Sequence, residues 1–129
     1  MPQALQTALI LLAALQVKHM VADFFLQTPR MLVDRNRYIH LGRMHHVAIH
    51  GGLSVLCFVV IGAPFSVILM LCAVETFVHY HIDFVKARHS DAAAHTPVDA
   101  GYWRAFGLDQ LAHQLTYVAM IWAWAYCVT

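Results

Sequence analysis

At 129 residues, 60% of them hydrophobic and only 12% charged, with a mean hydropathy of +0.60, the chain has the balance of an integral membrane protein rather than of a water-soluble domain. The 8 Lys and Arg against 7 Asp and Glu leave a net charge of +1, too small and too dispersed for a nucleic-acid groove. A single domain, 1–129, is expected at this length.

The first apolar segment covers roughly 3–27. It lacks the basic leader and small-residue cleavage site of a signal peptide, so it is expected to be retained as a helix. It carries His19 and Asp23, with Gln16 and Gln27 on the same stripe. A polar stretch, 28–41, holds Arg30, Arg35, Arg37 and His40 and leads into a second apolar segment at 42–63. That segment bears Arg43, His46, His50 and Ser54, and Gly51-Gly52 is expected to permit close helix packing. It ends at Gly62-Ala63-Pro64, where Pro64 suits the first turn of the next helix. So short a connection predicts an antiparallel hairpin with the third segment, 65–88, which carries Glu75, His79, Asp83 and Lys86. After a polar stretch, 89–105, the fourth segment at 106–128 carries Asp109, His113 and Thr116. Each segment approaches or exceeds the ~20 residues needed to cross a bilayer. Cys57, Cys72 and Cys127 lie singly in apolar runs and are expected to be buried free thiols.

The expected fold is therefore all-α, an integral-membrane four-helix bundle running up-down-up-down. The basic residues gather on the side of the two longer loops: Arg30, Arg35, Arg37 and Arg43 around the first, Lys86, Arg88 and Arg104 around the second, with Lys18 towards the same end. The positive-inside rule places those loops in the cytoplasm and both termini outside. Trp122, Trp124 and Tyr126 suit an aromatic belt at the outer interface, Tyr102 and Trp103 one at the inner.

Each segment carries two ionisable residues spaced i,i+4: His19 and Asp23, His46 and His50, His79 and Asp83, Asp109 and His113. On a helix that spacing stacks two side chains on one face. Alternating helix directions bring all four pairs to one level, with His19 about 12 Å inside Gln27. Ionisable groups in a bilayer are costly, and eight at one recurring spacing call for a compensating partner. Five imidazoles and three carboxylates suit two divalent ions bridged by a carboxylate, with zinc favoured and iron or manganese compatible. A hydrogen-bonded network locking the bundle or relaying protons is the plainer reading; haem ligation would leave three aspartates without purpose. Glu75, one turn before His79, is set down as a ligand, a general base or a structural carboxyl. His45 and His81 point to other faces, and His40, His89 and His95 fall in polar loops.

His19-Met-Val-Ala-Asp23-Phe24-Phe25-Leu26-Gln27, His46 through His50, His79 through Asp83 to Lys86, and Asp109-Gln110-Leu-Ala-His113 together resemble the domain-of-unknown-function 3307 family of small bacterial membrane proteins. That resemblance covers all four segments and implies no particular activity. A looser similarity to membrane-associated metal-dependent hydrolases rests on analogy.

The leading functional expectation is a metal-dependent hydrolase of an amphiphilic ester or phosphoester, with membrane lipid as its surroundings and a lipid or small anion as substrate. Asp23, Asp83 or Asp109 would bridge the ions or act as base, and Lys86 and Arg43 would neutralise a headgroup. The other expectations are a divalent-metal or proton-coupled transporter or sensor, for which four helices would pair as a homodimer, and a diiron lipid oxidase.

Overall fold

The computed structural model describes residues 2–128, and all its regular structure is helical. Helix α1 (Gln3–Val21) runs on into a π-helical turn, Ala22–Leu26. A four-residue helix α2 (Pro29–Leu32) follows, then α3 (Leu41–Val60), α4 (Phe65–Ala93) and α5 (Ala100–Val128). The four long helices form a closed ring: α1 packs on α3 and α5, and α4 packs on the same two.

Local chemistry sets the element ends. Gly62 stops α3 in the left-handed conformation at φ +73°, where a side chain would be strained, and Pro64 sits immediately before α4. His40 caps α3, its Nδ1 accepting the Arg43 backbone N–H at 3.1 Å; it is a structural cap rather than a free loop histidine. The stretch 89–105 is mostly helix rather than loop. Hydropathy falls there, but Asp91-Ala92-Ala93 is good helical sequence, and α4 continues until Ala94 turns left-handed at φ 51°.

The short connection into α5 is held by Asp99, whose Oδ2 accepts the Thr96 backbone N–H at 2.7 Å and the Thr96 hydroxyl at 2.8 Å. These two bonds hold the exposed carboxyl below its ordinary range. A depressed carboxyl contributes order that is present above its ordinary pKa and lost as pH falls through the lowered value. Asp99→Asn should therefore speed hydrogen exchange at the Thr96 amide near neutral pH. Compared at the same pH, the wild-type and variant amides should converge only in acid.

The bundle is apolar outside and polar inside at one end. Val17, Phe24, Phe25, Val60, Phe65, Leu69, Phe77, Leu115 and Trp122 are exposed, whereas ten polar or charged residues are buried. Three helical stretches, Gln3–Leu26, Leu41–Val60 and Phe65–Ala93, are long and apolar enough to cross a membrane. Helix α5 is as long as α4, but Asp109, Gln110, His113 and Gln114 interrupt its apolar run.

Inside the ring the end away from the longer loops is a dry core of Leu11, Leu15, Phe58, Ile68, Leu71, Met120 and Trp124. Trp124 thus belongs to the core and not to an interfacial belt, while Trp122 and Tyr126 are exposed and stacked on each other. All three cysteines are free, but only Cys72 is buried; Cys57 is half-buried and Cys127 exposed. Of the glycine pair only Gly51 packs closely, since a Cβ there would come within 2.9 Å of Thr76 Oγ1, while Gly52 faces open space.

Candidate metal centre

Above the dry core the eight paired residues meet in one layer. Asp23 stands on the π-helical turn, a device that widens a helix by one residue and recurs at functional sites. Its carboxylate faces three imidazoles: His50 Nε2 at 3.0 Å, His19 Nε2 at 3.3 Å and His46 Nε2 at 3.4 Å. Asp83 faces three as well, with His113 Nε2 at 3.3 Å, His79 Nε2 at 3.4 Å and His46 Nε2 at 3.6 Å. His46 therefore stands between the two carboxylates. Asp109 is the least engaged, at 3.7 Å from His113 Nε2, and the Gln110 amide donates towards both Asp109 (3.3 Å) and Asp23 (3.4 Å).

His79 is the hub. Its ring centre lies 4.1 Å from that of His50 and 4.2 Å from that of His113. Four groups of three residues each bring one ligand atom per residue within 4.8 Å of the others: His19, His79 and His113; His46, His50 and His79; His19, Asp23 and His50; Asp83, Asp109 and His113. Their residues could hold a metal ion. Several buried atoms of the layer have no hydrogen-bond partner in proper geometry, namely His19 Nε2, His46 Nδ1, His50 Nδ1, both ring nitrogens of His79, and Asp109 Oδ1. Buried polar atoms are ordinarily satisfied, so a cluster of orphans at one spot points to a shared partner.

Directly beneath the layer lies an ion pair. Lys18 Nζ is 2.6 Å from Glu75 Oε1 and donates to the His50 carbonyl at 3.3 Å, with both side chains almost wholly buried. The ammonium also stands 4.6 Å over the Tyr117 ring, whose hydroxyl is 2.9 Å from His19 Nδ1. Glu75 is thus paired with Lys18, and it falls outside the four ligand groups. Lys18 is its counterion rather than a flanking charge. Thr116 bonds its own helix at Ala112 O, and Tyr117 is the residue of α5 that reaches the layer. Tyr117 follows His113 by four, so the i,i+4 stripe of α5 pointed to it.

The layer opens towards the longer loops through a vestibule of about 80 Å³, walled by Asp23, Gln27, Arg35, Asp83, Lys86 and Asp109 among others. Lys86 is at this mouth, as its spacing suggested. Arg43 is not free to meet a headgroup. It is buried, donates to the carbonyls of Arg37 (3.0 Å) and Tyr38 (3.1 Å), and stacks over Tyr80 and Phe84, clamping the first loop to α4. Arg35 lines the vestibule, and Arg35 and Arg43 together line a smaller crevice beside His46 and Asp83. His45 is exposed, and His81 bonds Phe77 O and Tyr38 Oη away from the layer.

A family model described as protein of unknown function (DUF3307) matches residues 11–129. No curated protein and no solved structure gives a significant match.

Proposed function

The chain belongs to the DUF3307 family, and from its buried His/Asp layer we propose that it is a membrane-embedded, metal-dependent hydrolase of an amphiphilic phosphoester. In this reading α5 is the fourth span, because it packs along α1 and α4 and must run beside them. The four helices alternate up and down, with the basic loops in the cytoplasm, both termini outside, and the vestibule opening to the inner leaflet of a bacterial inner membrane.

The observation that carries the metal assignment is His79. It is buried, shared by two of the ligand groups, and has no hydrogen-bond partner on either ring nitrogen. An imidazolium–carboxylate network would engage its Nε2 through Asp83, 3.4 Å away, and leave Nδ1 unsatisfied. Two divalent ions, zinc in the first instance, would satisfy it and balance three carboxylates in a setting where unpaired charge is expensive. His19, His46, His50, His79, His113, Asp23 and Asp83 would hold them. With His19 in the Nδ1–H tautomer, Nδ1–H would donate to the Tyr117 hydroxyl 2.9 Å away and leave the Nε2 lone pair for a metal.

The ions supply Lewis acidity and lower the pKa of water. Asp109, with fewest imidazole neighbours, takes the proton as water adds to phosphorus. The phosphorus–oxygen ester bond breaks, and the proton passes to the departing alkoxide. Arg35 and Lys86 offset the charge of the phosphoryl group at the mouth. Transport is the weaker reading, because beyond the Lys18–Glu75 pair, Ser54 and the Trp124 indole the core is apolar.

Elemental analysis tests this directly. Protein purified without added chelator should hold about two equivalents of zinc or manganese, and stripping them should lower thermal stability and abolish hydrolysis of a lipid phosphoester. Protein free of metal and indifferent to chelation would overturn the proposal, and iron with visible absorption would replace hydrolysis with oxidation.

A further inference from the structure

Two grooves run along the outside of α4. The one shared with α3 has a volume of about 940 Å³ and no Lys or Arg in its walls. The one shared with α5 measures about 670 Å³ and is differently built. Its length is apolar, with Phe77, Ile82, Val85 and Leu108, while its loop end carries Lys86, His89, His95 and Arg104. From Phe77 to His89 the groove follows about 18 Å of helix. Gly101 admits His95 to this end, since a Cβ there would come within 2.3 Å of the His95 ring.

Any crevice in a bilayer admits a hydrocarbon chain. The α4–α5 groove differs in ending on a cluster of cationic and imidazole groups, which suits an anionic headgroup and has no counterpart in the other groove. It also shares walls with the metal layer: Lys86 and Asp109 line both this groove and the vestibule. Asp109 is only 8% exposed, and its Oδ1 lacks a hydrogen-bond partner. A chain lying in the groove would thus carry its polar end past Lys86 to the ligand layer without leaving the membrane.

We propose that the α4–α5 groove binds a phosphate-bearing lipid of the surrounding leaflet, its acyl chain along Phe77, Ile82, Val85 and Leu108 and its phosphate between Lys86 and Arg104. This names the substrate class of the hydrolase reading and rests on that reading for the chemistry, though not for the binding.

Binding can be read without turnover, by native mass spectrometry of delipidated protein titrated with phosphatidate or with phosphatidylcholine of the same chains. Phosphatidate should bind at least tenfold more tightly, and K86Q/R104Q should remove most of that preference while leaving phosphatidylcholine unchanged. Ala112→Trp, which fills the groove wall, should weaken phosphatidate, and Ala48→Trp in the α3–α4 groove should not. His79→Ala should keep the lipid preference while losing metal. Loss of metal binding in wild type with the lipid preference intact would sink the hydrolase and spare the groove. No headgroup preference, equal effects of the two tryptophans, or equally good competition by soluble glycerol phosphate would overturn the groove proposal.

Discussion

On the proposed metal-dependent hydrolase reading, His79→Ala should cost the protein at least one of two metal ions and all measurable hydrolysis. The imidazole contributes to two of the four ligand groups, so its loss leaves each with two donors. Removing a supporting partner of a ligand already lowers metal affinity about 10–100-fold, and removing a ligand shared by two ions should exceed that. The stability that bound metal confers should fall with it. A site held at 100 times its dissociation constant contributes about 2.7 kcal/mol, which the variant would forfeit. Metal content after equilibrium dialysis, together with melting temperature with and without chelator, measures both effects. The exposed neighbour His45→Ala is the control and should change neither. A variant at position 79 that retains two ions with wild-type affinity would remove the hub from the centre.

Breaking the Lys18–Glu75 pair should destabilise the bundle more than any other single polar substitution. Both groups are buried, and the pair is 2.6 Å apart with further support from the His50 carbonyl and the Tyr117 ring. Lys18→Met leaves a lone carboxylate in the interior, and Glu75→Leu leaves a lone ammonium. Each should cost about 3–5 kcal/mol in detergent unfolding. Replacing both at once removes the uncompensated charge, so K18M/E75L should recover most of that loss. Purely additive losses would show that the two residues act independently. Since Lys18 also holds the His50 carbonyl, the double variant should regain stability without regaining full metal affinity.

How much of this was readable beforehand depended on whether a feature was local. The four i,i+4 pairs were legible because helical geometry alone places such residues on one face. The antiparallel order, which brought them to one level, followed from the turn at Gly62 and Pro64. Lys18 was not legible, because it adjoins His19 and points about 100° away on the helix. Only the packing of α4 brings Glu75 opposite it. Arg35 at the vestibule was not legible either, because the path of residues 33–40, with Asp34 at φ 55°, decides which guanidinium meets it. The ends of α4 and α5 were misjudged for another reason. Hydropathy marks where a membrane would end, and helix propensity continues past it through Asp91-Ala92-Ala93.

The dry core beneath the ion pair has an electrical consequence. Leu11, Leu15, Phe58 and Met120 seal one end of the bundle, so in a membrane the voltage drops across that plug and not across the reacting groups. Moving one charge through a 100 mV field is worth about 2.3 kcal/mol, and almost none of that would reach a centre on the loop side of the seal. The centre thus works at the potential of a single compartment, insensitive to the energised state of the membrane. On the hydrolase reading, a soluble product would leave by the vestibule, against the water that enters there, while the lipid arrives along the α4–α5 groove.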